Sequence, residues 1–453
     1  MKDARRDFER QEMDGSGVNA YLPHSKDAKK KEKWMKVAAT VGLGMVIFIG
    51  GAATTWFSLD PDIRTLVKIK QAIDVNYYES IDNEAFYDAL FNAVNGQLDP
   101  YSYYMKPEVY KDSSESLNGR RIDFGVTFDS ASIRAGKMMI AKVSGNSPAE
   151  EAGLRSGSYI VGFGRTETEI TDSENYQELN AFLMELEANE PFCLHIKMGE
   201  ETKIITMAQR TYVENYVFYR SKTTSYRFVG KKGDELAEGG VPLSILPEDT
   251  AYIRLVRFGN NSVKPFEDAM SVFKQENKKH LVLDLRDNGG GYMSAMQGIS
   301  SYFCKNSKEF FPVVAIADYG ERQENYLASG NVYWDYFDED SRIYILADNG
   351  SASASECLMG VMIEYGATRY EDICLFTRGK VTKTYGKGIM QSHFPISASG
   401  DMMKLTTAKM CWPVTGQSIH GRGVLPEDGT KTMQGGLDEE ELLAALAQFF
   451  SNN

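Results

Sequence analysis

Residues 342–357 read RIYILADNGSASASEC: an apolar run, an Asn-Gly turn, then three serines alternating with alanines before a glutamate and a cysteine. Six apolar-rich residues that end in a turn predict a buried strand, and the apolar residues of the following SECLMGVMIEYG recur at helical spacing. Ser353-Ala354-Ser355-Glu356 fits the S-x-x-E capping box, in which the serine caps a helix and the glutamate reaches back. On its own that is a capped helix start. A strand-turn-helix corner, however, also presents a serine at the edge of a sheet, beside the free N–H groups of a helix N-terminus that suit a developing oxyanion. The G-x-S-x-G pattern of esterase corners is absent, because Ala354 and Ser355 follow Ser353.

Around this corner, strand and helix alternate. AYIRLVRF (251–258), VKPFEDAMSVFKQE (263–276), LVLDL (281–285) and GYMSAMQGISSYF (291–303) give residues 212–432 an α/β architecture. The segment 433–453 contains LDEEELLAALAQFF (437–450), a terminal helix whose leucines predict packing on that core. Residues 58–118 read as short helices, IRTLVKIKQAI and FYDALFNAVNGQL, closed by LDPYSYYM; packing or dimerisation is the expected role.

Residues 119–211 change texture. DFGVTF, MMIAKV, SYIVGF, FCLHIKM and TKIITMA predict short strands with one short helix at Pro148–Ala152. The order of elements resembles a PDZ domain: a glycine-bearing loop at Phe124, Gly125 and Val126, a strand, the segment SPAEEAGL and a closing strand. The resemblance implies that backbone N–H groups around Phe124–Val126 take the C-terminal carboxylate of a peptide that adds as a strand. The plainer expectation for Gly125 is relief of a bulge.

Val37 to Phe57 carries no charge over 21 residues, about 31 Å as a helix, enough to cross a bilayer. Six lysines against two acids lie between Lys26 and Lys36, so the positive-inside rule places 1–36 in the cytoplasm and the remainder outside. A cleaved signal peptide would have a shorter charged region and a shorter apolar stretch. The expectation is a single-pass membrane protein with its N-terminus in the cytoplasm and the bulk of the chain outside.

A net charge of -13 excludes broad nucleic-acid binding, and five scattered cysteines without C-x-x-C spacing offer neither a zinc site nor a disulfide framework. A serine nucleophile needs a base. His280, His393 and His420 qualify by position, and Lys387 is flanked by Gly386 and Gly388 beside the apolar pair Ile389-Met390.

LDLRDNGGG (283–291), NGSASASE (349–356) and TYGKGIMQ (384–391) resemble, in order, the motifs of the C-terminal processing, or tail-specific, serine peptidases. LDPYS (98–102), the PDZ segment and LTTAKMCWPVTGQSIHGRGVLPED (405–428) fit the same family, so the resemblance extends from about residue 60 to 450. It implies a crotonase-like α/β peptidase core with an inserted PDZ domain, a nucleophile at Ser353, a general base at Lys387 oriented by Gln391, and an oxyanion hole from the N–H groups of Ala354 and Gly291. It also implies protein substrates selected or gated by the PDZ domain, no metal or small cofactor, and self-association by analogy.

Three departures bear on that reading. Thirty-four positions separate Ser353 from Lys387, longer than the family's usual spacing, which places an insertion near 370–382, expected as a surface loop. Gly289 stands where many members have proline, and the closing segment reads Pro426-Glu427-Asp428. Two rival readings follow: a catalytically inactive scaffold of the same fold, and a histidine-based site using His393 or His420.

Overall fold

Ile343–Asp348 is buried at every position, as a strand covered on both faces must be. The computed structural model describes residues 60–450, except 78, 230–234, 239–240, 308, 310, 330–334 and 436–438. The apolar stretch 37–57 and the tail before it lie outside the described residues. Among the described residues no helix is long and apolar enough to cross a membrane.

Ile343–Asp348 lies within an eight-stranded sheet. Five strands run parallel in the order Thr250–Leu255, His280–Asp284, Ile343–Asp348, Ile373–Thr377 and Lys431–Gln434. Three antiparallel strands, Val217–Arg220, Ser225–Val229 and Glu235–Glu238, extend one edge. Period-two alternation sends Ile343, Ile345 and Ala347 to a core shared with residues of the helices Val263–Gln275, Met293–Ser300 and Ala354–Glu364. Tyr344 and Leu346 face the opposite side, where Leu442, Ala445, Leu446 and Phe449 of the terminal helix Glu439–Phe450 cover them. The terminal helix therefore packs as its leucine spacing predicts. A second sheet joins Tyr103–Met105, Met402–Cys411, Val313–Asp318 and Gln323–Leu327, with Ile389–Pro395 beside Met402–Cys411.

The β-rich insert has its own core of Met138, Ile140, Ile160, Phe192, Leu194 and neighbours. Its entering strand Arg120–Asp123 and leaving strand Arg210–Val213 pair antiparallel, so the insert hangs on a two-stranded ribbon. It holds more helix than the sequence predicts: Ser130–Arg134 and Tyr176–Met184 join Pro148–Glu151. The missed start signal is Asn175, whose side chain accepts from Gln177 N–H at 2.9 Å as a helix cap.

The expected surface loop at 370–382 is corrected. Ile373–Thr377 is a fully buried interior strand of the parallel sheet, and the extra length lies on either side, in the turn Tyr370–Asp372 and a tight reversal closed by Arg378 and Val381. A run of four apolar residues closed by a β-branched threonine (ICLFT) belongs inside a sheet rather than in a loop.

Two compact units are present. One comprises the described residues up to Leu98 together with Phe394–Met403; the other comprises Asp99–His393 and the residues from Lys404. In the first, Pro61–Asn76 and Asn83–Asn95 are the expected helices, capped by Asp60 and Asp82. All sequence-predicted site residues lie in the second.

Candidate active site

The parallel strand Ile343–Asp348 ends in a corner bolted to the neighbouring loop 285–291. Ser351 Oγ donates to Leu285 C=O at 2.7 Å, Ser355 Oγ donates to Asn288 C=O at 2.8 Å, and Ala352 N–H donates to the same carbonyl at 3.0 Å. Asp348 Oδ1 accepts from Asp287 N–H at 2.9 Å and Gly350 N–H at 2.8 Å. Ser351 and Ser355 are fully buried, so both are structural bolts.

Ser353 between them is partly exposed and is the N-cap of Ala354–Glu364, at φ 59° and ψ -115°. A left-handed φ at a residue with a Cβ costs about 1–3 kcal/mol and persists only when its surroundings impose it. The serine hydroxyl makes no cap hydrogen bond, whereas the Glu356 carboxylate does reach back to Ser353 N–H at 3.0 Å. The Glu356 carboxylate thus supplies the glutamate half of the capping box that the sequence predicts.

Gly290 shows why the adjoining loop is glycine-rich. At φ +92°, a Cβ there would stand 2.8 Å from Ser353 Cβ and 2.9 Å from Ala354 N. Its own N–H donates to Asn288 Oδ1 at 3.0 Å, so Gly290 approaches the Ser353 corner without offering a donor to it. Gly291 follows, with Phe258 N donating to Gly290 C=O and Tyr292 N to Phe258 C=O around it. Among the described residues, the N–H groups of Gly291 and Ala354 are bonded to no acceptor.

Glu356 joins the two halves of the site. Fully buried, its carboxylate accepts four hydrogen bonds: from Ser353 N (3.0 Å) and Lys387 N (2.9 Å) on one oxygen, and from Thr384 Oγ1 (2.6 Å) and Gly386 N (2.7 Å) on the other. Because they share one acceptor, the backbone nitrogens of Ser353 and Lys387 lie within about 6 Å of each other. Burial raises the Glu356 pKa, opposed by these four donors. The sequence reading treats Glu356 only as a cap, since nothing local shows that a glutamate on one element also binds a segment thirty residues away.

Lys387 Nζ makes no hydrogen bond to Ser353 Oγ; it stands 5.0 Å from the centroid of the Tyr101 ring. Its pKa is lowered from the ordinary lysine value, first by burial and then by the charge of Lys404, with Glu356 opposing. Gln391 lies on Ile389–Pro395 with its amide 3.5 Å from Thr406 Oγ1, a long contact, and no bond links it to Lys387.

Of the histidines, His280 sits at the N-terminal end of its parallel strand, with Nδ1 accepting from Arg342 N–H, whereas Ser353 follows the C-terminal end of the adjacent strand. The two are therefore at opposite ends of the sheet. His393 stacks edge-on against Tyr110, at 5.3 Å between centroids, and His420 is exposed. None bonds Ser353. Among the described residues no cluster of His, Cys, Asp or Glu could hold a metal ion.

In the insert, Phe124 is buried and its carbonyl accepts from Ala149 N–H at 2.9 Å. Gly125 has φ +91°, and a Cβ there would fall 2.1 Å from Ser147 Cβ. Close approach to SPAEEAGL, rather than a bulge, requires glycine at this position. Val126 begins the strand Val126–Phe128, which among the described residues pairs only with Met138–Val143 and leaves its other edge open.

Residues 249–428 match the model described as Peptidase family S41. The chain is 25% identical over 371 residues to the carboxy-terminal processing protease CtpB of Bacillus subtilis (strain 168), covering 81% of this chain and 67% of that protein. It is 23% identical over 437 residues to a probable CtpA-like serine protease of Staphylococcus aureus (strain COL), covering 93% and 77%. A solved putative S41 protease from Bacteroides fragilis NCTC 9343 shares the fold, with a TM-score of 0.50 and 17% identity over 83% of this chain and 99% of that one.

Proposed function

We propose, for a chain that belongs to peptidase family S41 and is a serine-type C-terminal processing peptidase, that Ser353 is the nucleophile and Lys387 its general base. The observation that carries this is the shared Glu356 carboxylate, which ties the backbones of both residues to one oxygen. Neutral Lys387 takes the Ser353 proton as Oγ attacks the scissile carbonyl. The N–H groups of Ala354 and Gly291 receive the oxyanion, and the lysine returns its proton to the leaving amine. Water then hydrolyses the acyl-enzyme by the same route in reverse.

At an ordinary lysine pKa the neutral base would cost about 4.6 kcal/mol at pH 7, so the burial of Lys387 is part of the mechanism. Its four-carbon stem lets Nζ swing from the Tyr101 ring towards Ser353 when substrate enters. Gln391, on the strand that follows Lys387, orients the ammonium in that swung position.

The insert acts as a PDZ domain. An extended substrate end adds along the open edge of Val126–Phe128, with its carboxylate at Phe124–Val126, and this selects substrates or gates the site. Residues 37–57 anchor the chain in the membrane, with residues 1–36 on the cytoplasmic side. Self-association follows only from analogy.

The test is digestion of an unfolded protein such as casein by the full-length chain in detergent, comparing wild type with Ser353→Ala and Lys387→Ala. Loss of turnover in both variants is expected. Equal activity in all three sinks the dyad, and equal loss in a His393→Ala, His420→Ala double variant would favour a histidine base.

A further inference from the structure

The motif LDPYS at 98–102 has no part in the chemistry above, yet its residues from Asp99 onward are fastened to the strand that runs behind the lysine. Asp99 Oδ1 accepts from Tyr101 N–H at 2.9 Å and from Thr406 Oγ1 at 3.1 Å. Asp99 Oδ2 accepts from Ser102 Oγ at 2.7 Å, and that oxygen accepts from Thr406 N–H at 2.8 Å. Thr406 belongs to Met402–Cys411, so the segment is held at one residue by side chain and backbone together. This double attachment fixes where Tyr101 points. Its hydroxyl lies 3.1 Å from the Tyr385 hydroxyl and its ring lies over Lys387 Nζ.

We propose that Tyr101 is a positioning residue for the general base: held by Asp99 and Thr406 and tied to Tyr385, its ring roofs the Lys387 side chain and keeps water from it. The inference rests on the dyad reading of Ser353 and Lys387. Aspartate, serine and threonine supply the fastening, and the tyrosine supplies the roof. This also accounts for the order of the motif, since Asp99 turns the chain by accepting from Tyr101 N–H two residues on.

Two effects of the ring oppose each other. Its π face attracts an ammonium, worth about 0.5–1 kcal/mol where water has access, whereas exclusion of water disfavours the charged form by up to several pKa units in a fully buried site. The charged and titratable groups around Lys387 are Lys404 on Met402–Cys411, Glu356 on the nucleophile helix, Tyr385 on its own segment and Tyr101 itself. Burial is the largest influence lowering the Lys387 pKa, followed by the charge of Lys404, with Glu356 opposing, and the ring that lies over Nζ is part of what buries it. Removing the roof rehydrates the ammonium and moves the lysine upward, towards its ordinary value.

The test reads Lys387 directly, apart from turnover. Full-length chain in detergent is acylated with acetic anhydride against an internal amine standard over a range of pH, and labelling of the Lys387 peptide is quantified by mass spectrometry. Ser353→Ala serves as the common background, so the readout does not depend on activity. Tyr101→Ala is expected to raise the labelling midpoint by about half a unit or more, and Tyr101→Phe, which keeps the ring, to leave it near the parent value. With Ser353 restored, the acid limb of kcat/KM moves the same way, about threefold lower in Tyr101→Ala below the limb. Should Tyr101→Ala fail to fold, Tyr101→Gln, which replaces the ring by a hydrated amide, carries the same expectation. An unchanged or lower midpoint in the alanine or glutamine variant overturns the roof even where the dyad stands. Wild-type turnover in Lys387→Ala overturns the dyad independently of the midpoint.

Discussion

Thr384 Oγ1 donates to Glu356 Oε1 at 2.6 Å and accepts from Val424 N–H at 2.8 Å, so one hydroxyl links the helix Ala354–Glu364 to the segment bearing Lys387 and to the closing motif. All three partners are buried. A carboxylate with four donors has no spare place for a donor of its own. Glu356→Gln puts an NH₂ against N–H or O–H groups, and Glu356→Ala strands four donors at about 1–3 kcal/mol for each one left unpaired. Turnover should fall at least about tenfold in Glu356→Gln, with a lower Tm, while Glu356→Asp, too short by one methylene to span both partners, should retain fold better than activity. Thermal melts alongside casein digestion separate the two effects.

The activity of the wild-type chain should rise with pH as Lys387 loses its proton, and its acid limb should lie below the ordinary lysine value of 10.5. Lys404 contributes to that lowering by charge repulsion. Removing its charge in Lys404→Gln should therefore raise the Lys387 pKa and move the limb to higher pH. A kcat/KM profile of the two proteins at fixed ionic strength checks the sign, and a limb that stays in place would show that Lys404 exerts no such field.

Behind the LRDNGGG loop, Arg286 and Asp284 form a fully buried pair, with Nη2 to Oδ2 at 2.7 Å and Nε to Oδ1 at 3.0 Å. The Arg286 guanidinium also lies 4.6 Å from the Phe376 ring centroid. Asp284→Asn removes the carboxylate charge paired with this buried guanidinium and should cost about 3–5 kcal/mol in urea unfolding. Burial by itself would raise the Asp284 pKa, but Arg286 and Arg254 override it and hold the group at about 2, below its ordinary 3.8. Because the folded value is depressed, the pair's contribution is present above the unfolded pKa and is lost as pH falls from 3.8 through about 2. The stability difference between wild type and Asp284→Asn should shrink across that acid window.

Gly290→Ala places a methyl group 2.8 Å from Ala352 C=O and from Ser353 Cβ, in a left-handed backbone conformation. Either the loop or the nucleophile corner must move. The expected result is near-complete loss of turnover with stability reduced by about 1–3 kcal/mol. Gly289→Ala, whose Cβ would meet nothing within 4 Å, should stay close to wild type and serves as the matched control.

Much of this was readable along the chain. Four of the five strands of the parallel sheet are apolar-rich, Lys431–Gln434 (KTMQ) being the exception, the serine corner follows one of them, and the lysine sits between two glycines where a close turn is needed. What misled was local evidence with a distant cause. ICLFT at 373–377 lay inside a stretch marked as extra length and so read as a loop, though its composition is that of a buried strand. The helix Tyr176–Met184 lies among strands, and its local signs are the cap at Asn175 and the helical spacing of Leu179, Phe182 and Leu183.

The sequence by itself determined most of the elements, because periodicity and turn chemistry act over a few residues, and its three motifs in order singled out Ser353 and Lys387 through their resemblance to a family. Only the tertiary structure decided that Glu356 is the joint between Ser353 and Lys387, that Gly290 rather than Gly291 presses on the corner, and that Tyr101 covers the lysine. Each of these depends on residues from 28 to 286 positions apart meeting within hydrogen-bond or ring-contact distance. No short-range pattern encodes such meetings. They follow from how the parallel sheet brings its strand ends together and from where the Asp99–Tyr101 segment is fastened.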